Sequence, residues 1–224
     1  MGLSNVSTGM GAMDSGLEIK KKRENDIIVA LAGNPNVGKS TVFNTMTGLH
    51  QHTGNWAGKT VTNAQGYAFH GKQGYVLVDI PGCYSLHTRS AEEEVAKDFI
   101  CSGVPDVVAV VCDAVCLERN MGLVLQILEL TNRVVVCVNL MDEAEKKHIR
   151  IDLRGLQERL GVPVVGMAAR EGLGMEAVYG AIDAAAEKRG NKGKEAEENR
   201  GKRYGKGQET DAAAELCRGL VKYE

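Results

Sequence analysis

Eight residues near the start of the chain, Gly33-Asn34-Pro35-Asn36-Val37-Gly38-Lys39-Ser40, restrict its fold more than any other feature. They follow a β-branched run over residues 27–32 and precede a helical pattern over residues 39–47. In that context the GxxxxGK[ST] spacing predicts a phosphate cradle between a strand and a helix. The glycines let backbone N–H groups turn inward, and the following helix adds the positive end of its dipole. Lys39 is expected on the β- and γ-phosphates of a nucleotide and the Ser40 hydroxyl on Mg²⁺. Gly33, Asn34, Asn36, Val37, Gly38 and Thr41 complete the expected nucleotide contacts at this end.

The rest of the chain alternates short β-branched runs with helical segments. Strands are expected over residues 27–32, 61–69, 75–80, 107–112, 134–138 and 162–167, and helices over 39–47, 92–101, 118–130, 152–160 and 174–188. Several runs are apolar on both faces, as in a parallel sheet covered by helices. The second and third strands are joined by His70-Gly71-Lys72-Gln73-Gly74, short enough for a hairpin. The expected fold is therefore α/β: a P-loop NTPase of the Ras-like G-domain type. Its six-stranded sheet is mainly parallel with one antiparallel edge strand, and helices cover both faces. Residues 1–24 read as a disordered leader ending in the solvated basic run Lys20-Lys21-Lys22-Arg23. Residues 25–189 read as the G domain, 190–208 as a flexible linker, and 209–224 as the start of an incomplete helical element.

The 27 Lys and Arg against 29 Asp and Glu argue against a protein built to coat nucleic acid. No apolar stretch approaches the ~18–20 residues that span a bilayer, so this segment reads as soluble. The six cysteines are scattered without zinc-ligand spacing and are expected to be reduced thiols.

Asp79-Ile80-Pro81-Gly82 ends the third strand. There Asp79 is expected to help hold Mg²⁺ and the Gly82 N–H to meet the γ-phosphate. Residues 50–60 read as a polar loop whose Thr60 gives its hydroxyl to Mg²⁺ and its N–H to the γ-phosphate, and which opens when that phosphate is lost. Trp56 reads either as an anchor of this loop or as part of the site, while His50 and His52 read as solvent-facing. After the fifth strand, Asn139-Leu140-Met141-Asp142 supplies base recognition. The Asp142 carboxylate matches the N1–H and exocyclic amine of guanine, a donor pair that adenine lacks. Asn139 is expected to bridge this loop to the phosphate cradle, Met141 to border the base, and the Ala169 N–H within Ala168-Ala169-Arg170 to reach guanine O6. Leu140 stands where a lysine usually packs over the base, so a cation–π contribution is missing and modest affinity is expected.

Several stretches together resemble one family: the cytosolic G domain of the bacterial ferrous iron transport protein B (FeoB). They are GNPNVGKSTVFNTMTG, TGNWAGKTV, VDIPGCYSL, CLERNMGLVLQILEL, NLMDEAEKKHIRID and AAREGLG. The resemblance implies a G domain at the cytoplasmic side of the bacterial inner membrane, joined in a longer protein to an Fe²⁺ permease domain. It implies a GTPase dependent on Mg²⁺ and activated by K⁺, with Asn36 and carbonyls of residues 54–56, including Gly54 and Trp56, holding the K⁺. Two departures stand out: Ala57 where the family usually has proline, and Lys59 where it usually has an apolar residue. The chain then reads as part of a longer protein or a truncated product, with self-association left open.

Cys83 occupies the position where Ras-type switches carry the glutamine that orients water, so slow hydrolysis is expected. Lys39, Thr60, Gly82 and Asn36 are the expected catalytic contributors, with Arg89 the nearest candidate for a finger. Two rival readings remain: a stand-alone GTPase of ribosome assembly, and a module that senses GTP while scarcely hydrolysing it. The first normally carries a basic RNA-binding patch, which this sequence lacks.

Overall fold

The computed structural model describes residues 17, 19–49, 51–56, 61–87, 90–187 and 209–223. In chain order the elements are β1 (Ile27–Gly33), α1 (Lys39–Thr47), β2 (Gln51–Asn55), β3 (Thr62–His70), β4 (Gln73–Asp79) and α2 (Ala91–Cys101). Next come β5 (Val107–Asp113), α3 (Leu117–Leu130), β6 (Val134–Asn139), α4 (Met141–Lys146), β7 (Ile149–Ile151) and α5 (Leu153–Leu160). The chain continues with β8 (Val164–Gly166), a 3₁₀ turn (Ala169–Glu171), α6 (Met175–Glu187), α7 (Glu209–Cys217) and β9 (Val221–Tyr223).

One sheet carries seven strands in the order β2-β3-β4-β1-β5-β6-β8, parallel from β4 to β8. All six expected strands are present, and the seventh, β2, pairs antiparallel outside β3. The antiparallel strand is therefore internal rather than the edge. Gln51-His52-Thr53-Gly54-Asn55 has no apolar alternation because its pairing depends on the backbone ladder, Gln51 opposite Gly66 through Asn55 opposite Thr62. Composition alone made it look like a loop.

Successive residues of β1 alternate between two cores, as period-2 geometry requires. Ile28 and Ala30 join α2, α3, α5 and α7 on one face, while Val29 and Leu31 join α1 and α6 on the other. The doubly covered sheet explains why its strands read as continuous apolar runs.

Both ends of the described chain make tertiary contacts. Leu17 and Ile19 pack against the first core. Lys22 lies 4.1 Å over the Tyr67 ring, and Arg23 lies 4.9 Å over Phe69. Their backbone N–H groups donate to buried Asp26 at 2.9 and 2.7 Å. The end of the basic run thus stays exposed while its charges rest over aromatic faces of β3. At the other end, α7 packs against α3 and β9 pairs with β7. Arg159 donates to the carbonyls of Leu216 at 2.7 Å and Arg218 at 3.1 Å, closing the C-terminal end of α7. Ala213, Leu216, Cys217 and Leu220 enter the main core, so this segment shares that core instead of needing its own. Among the described residues no helix is long and apolar enough to cross a membrane.

Candidate functional site: a nucleotide pocket at the carboxyl edge of the sheet

Parallel strands send their following loops to one edge, which is where ligands bind in folds of this type. The segments after β1, β4, β6 and β8 meet there. The first turn of the phosphate loop requires glycine: at Gly33, with φ +157°, a Cβ would lie 2.6 Å from the Val111 carbonyl oxygen. At Gly38, φ +83°, a Cβ would lie 2.4 Å from Asn139 Nδ2. Asn36 also takes a left-handed conformation, φ 67°, which Asn tolerates better than most residues. Helix α1 starts with no side-chain cap and no acidic residue in its first turn. Among the described residues its first N–H groups thus have no capping side chain, the state in which a helix start attracts an anion. Ser40 and Thr41 are exposed at that start.

Lys39 is paired within the protein. Its Nζ contacts Asp79 Oδ1 and donates to the Ile80 carbonyl at 2.7 Å. Burial pushes the Asp79 carboxyl above its usual range while the Lys39 charge pulls it back. The residues expected on phosphate and on metal therefore satisfy each other here. Ser40 and Asp79 offer hard oxygen donors, the chemistry Mg²⁺ prefers, and nothing in their positions conflicts with that use. The carbonyl donors expected for K⁺ sit differently. β2 and β1 are separated by β3 and β4, three strand spacings or about 14 Å. Trp56 is buried, donates its backbone N–H to the Val61 carbonyl at 2.9 Å, and meets Phe99 edge-on at 5.2 Å. That supports the anchoring reading of Trp56. Thr60, Ala57, Lys59, His50 and Arg89 lie outside the described residues.

After Asp79, Gly82 lies against the phosphate loop: a Cβ there would be 3.5 Å from both the Gly33 carbonyl oxygen and Pro35. The Cys83 N–H donates to that same carbonyl at 3.3 Å. The Cys83 thiol is buried, and burial pushes its pKa up to about 11, with Glu93 acting in the same direction. A neutral buried thiol is a poor substitute for a water-orienting amide.

At the base end Asn139 bridges as expected. Its Nδ2 donates to the Val37 carbonyl at 3.1 Å, and its Oδ1 accepts the Ala169 N–H at 3.0 Å. The second bond engages the amide expected on guanine O6. It could serve a base only as a shared donor. Leu140 adopts φ 64°, Met141 donates its N–H to the Met167 carbonyl at 3.2 Å, and Asp142 sits in the first turn of α4. The Asp142 carboxylate is half-buried with Lys146 Nζ 3.5 Å from Oδ2. Ala168 is buried and Arg170 exposed beside it. Buried Asn34 has no partner for its Oδ1 among the described residues.

Two residues went unnoticed in the sequence. Asn120 accepts the Asp113 N–H at 3.2 Å and donates to the Cys116 carbonyl at 2.7 Å, tying β5 to α3. Gln126 accepts the Leu86 N–H at 2.6 Å and the Ser85 hydroxyl at 3.2 Å. The signal was present: each is a polar residue amid the apolar stretch of an amphipathic helix, where an unmatched amide would be costly.

Fold and site together define a P-loop nucleotide-binding G domain. The family described as ferrous iron transport protein B matches residues 27–182. The Fe(2+) transporter FeoB of Salmonella typhimurium is 45% identical over 161 residues, which is 70% of this chain and 21% of that protein. The solved G domain of the T. maritima FeoB iron transporter is 39% identical with a TM-score of 0.68, covering 71% of this chain and 98% of that one. The cytosolic domain of the same transporter in a GDP form is also 39% identical, TM-score 0.70, covering 72% and 63%. The chain belongs to the ferrous iron transport protein B family, and it spans about a fifth of the length of its curated relatives.

Proposed function

We propose that the chain is the guanine-nucleotide switch domain of a ferrous iron transporter, binding GTP with Mg²⁺ and hydrolysing it slowly. The observation that carries this reading is Asn139, whose two hydrogen bonds bolt the phosphate loop to both base-recognition segments. A phosphate cradle and a guanine-matching carboxylate are thereby held at one edge of one sheet.

Binding would proceed by exchange of partners. Nucleotide phosphates draw Lys39 away from Asp79 and meet the free N–H groups at the start of α1. Ser40 and Asp79, with Thr60 from the loop before β3, would hold Mg²⁺, which neutralises charge developing on the phosphates. Asp142 turns from Lys146 to the guanine edge, while Leu140 and Met141 border the ring. Gly82 offers its N–H to the γ-phosphate, so the segment after β4 responds to hydrolysis. Asn36, with carbonyls of Gly54 and Trp56, would hold K⁺, which would neutralise charge developing between the phosphates. The relatives' name, Fe(2+) transporter, and their greater length support joining this switch to an Fe²⁺ permease domain of a longer protein, on the cytoplasmic side of the bacterial inner membrane.

Calorimetry of the chain with Mg²⁺ and either GTP or ATP tests the reading. GTP should bind at least a hundredfold more tightly, and phosphate release should run on the order of 10⁻⁴ to 10⁻² s⁻¹, as in switches without an activating protein. Equal affinity for the two nucleotides would overturn it.

A further inference from the structure

Gln126 lies in the middle of α3, far along the helix from its start at Leu117, and is buried with only 7% exposure. Its Oε1 takes two donors from one short segment, the Leu86 N–H and the Ser85 hydroxyl. Ser85 Oγ in turn accepts the His87 N–H at 3.2 Å. The Leu86 side chain is buried in the same core as α3, so the segment is fixed by packing as well as by polar contacts. At its other end, the Cys83 N–H is bonded to the Gly33 carbonyl and Gly82 abuts Pro35.

The segment from Gly82 to His87 is thus held at two points, one on the phosphate loop and one on α3. A γ-phosphate acts on the first point. The second decides whether Gly82 can stay in position to receive it, because a loop freed from Gln126 can swing about Cys83. We infer that Gln126 is a positioning residue that holds Gly82 for the γ-phosphate and so sets how strongly the domain distinguishes GTP from GDP. This rests on the nucleotide-switch reading above. GDP does not reach Gly82, so the discrimination can be altered without altering the rest of the pocket.

The test uses Gln126→Met, which keeps the volume but removes the acceptor, and Ser85→Ala, which removes one of the two donors. Affinities for GDP and for a non-hydrolysable GTP analogue are measured with the full chain, together with kcat and KM. Gln126→Met should weaken the analogue at least tenfold, leave GDP within threefold, and lower kcat more than it changes KM. Ser85→Ala should move the same ratio by about three- to fivefold. Equal losses for GDP and the analogue, or an unchanged ratio, would overturn the inference. If Gln126→Met fails to fold, an unchanged ratio in Ser85→Ala overturns it alone. A wild-type chain that binds neither nucleotide would instead defeat the switch reading on which this one stands.

Discussion

The two ends of the nucleotide pocket are built on opposite plans. At the phosphate end the charged residues have turned on each other: Lys39 holds Asp79 and the Ile80 carbonyl. At the base end the key amide is already engaged, Asn139 donating to the Val37 carbonyl and accepting the Ala169 N–H. Only Asp142 waits there, loosely matched by a lysine that is largely exposed. The difference teaches where binding energy is spent. On the proposed reading the base end, already held by Asn139, loses little on binding, whereas the phosphate end exchanges a half-buried ion pair for contacts with nucleotide and metal.

Removing Lys39 should break the comparison most severely. Lys39→Ala is expected to weaken GTP and GDP at least a hundredfold, about 2.7 kcal/mol, because it deletes the phosphate charge and strands Asp79 without its partner. Titration calorimetry with either nucleotide checks it, and an affinity within tenfold of wild type would mean the helix start alone carries the phosphates. Asp142→Asn attacks the other end and should cost at least about 2 kcal/mol, roughly thirtyfold, in GTP affinity. It should leave a tripolyphosphate competitor unaffected. Unchanged GTP affinity would remove the carboxylate from base recognition.

Exchanging KCl for NaCl at constant ionic strength sharpens the phosphate end alone. If Asn36 with carbonyls of Gly54 and Trp56 holds K⁺, turnover should fall about tenfold in NaCl, close to 1.4 kcal/mol of barrier, with GDP affinity unaltered. Equal rates would mean that Asn36 acts without a second cation. The smallest effect is expected at Cys83, whose Ala variant should hydrolyse GTP within about threefold of wild type. The thiol's pKa is raised to about 11, chiefly by burial, so the folded state holds its proton more tightly than the unfolded chain. That contribution to stability is full below the ordinary thiol value of 9.0 and is lost as pH rises towards 11. Denaturant midpoints at pH 8 and pH 10 should therefore differ less in Cys83→Ala than in wild type. A hundredfold loss of turnover would give the thiol a chemical role.

How legible was all this in the chain itself? The phosphate cradle was readable because its glycines answer local demands: a left-handed turn at Gly38, and a close approach to Val111 at Gly33. Strands β1, β4, β5 and β6 were readable because a sheet covered on both faces writes its burial into apolar, β-branched runs. Strand β2 was not, since edge pairing uses backbone groups that every residue carries. Nor was the docking of Lys22 and Arg23 on Tyr67 and Phe69, where contact is made across more than forty residues of sequence.

What the sequence determined by itself is the chemistry available: a lysine and a hydroxyl after a glycine turn, an aspartate at a strand end, and an asparagine and aspartate three residues apart. Spacing along the backbone suffices there because each group sits within a few residues of the strand or helix that aims it. Tertiary structure decided which of these groups are already spoken for. Lys39 found Asp79 forty residues away, and the Ala169 amide went to Asn139 thirty residues away. The loop after Asp79 came to rest on Gln126 rather than in solvent. Such pairings depend on which buried donors and acceptors would otherwise go unmatched once the sheet closes. That cost is set by the assembled core, and no local pattern records it.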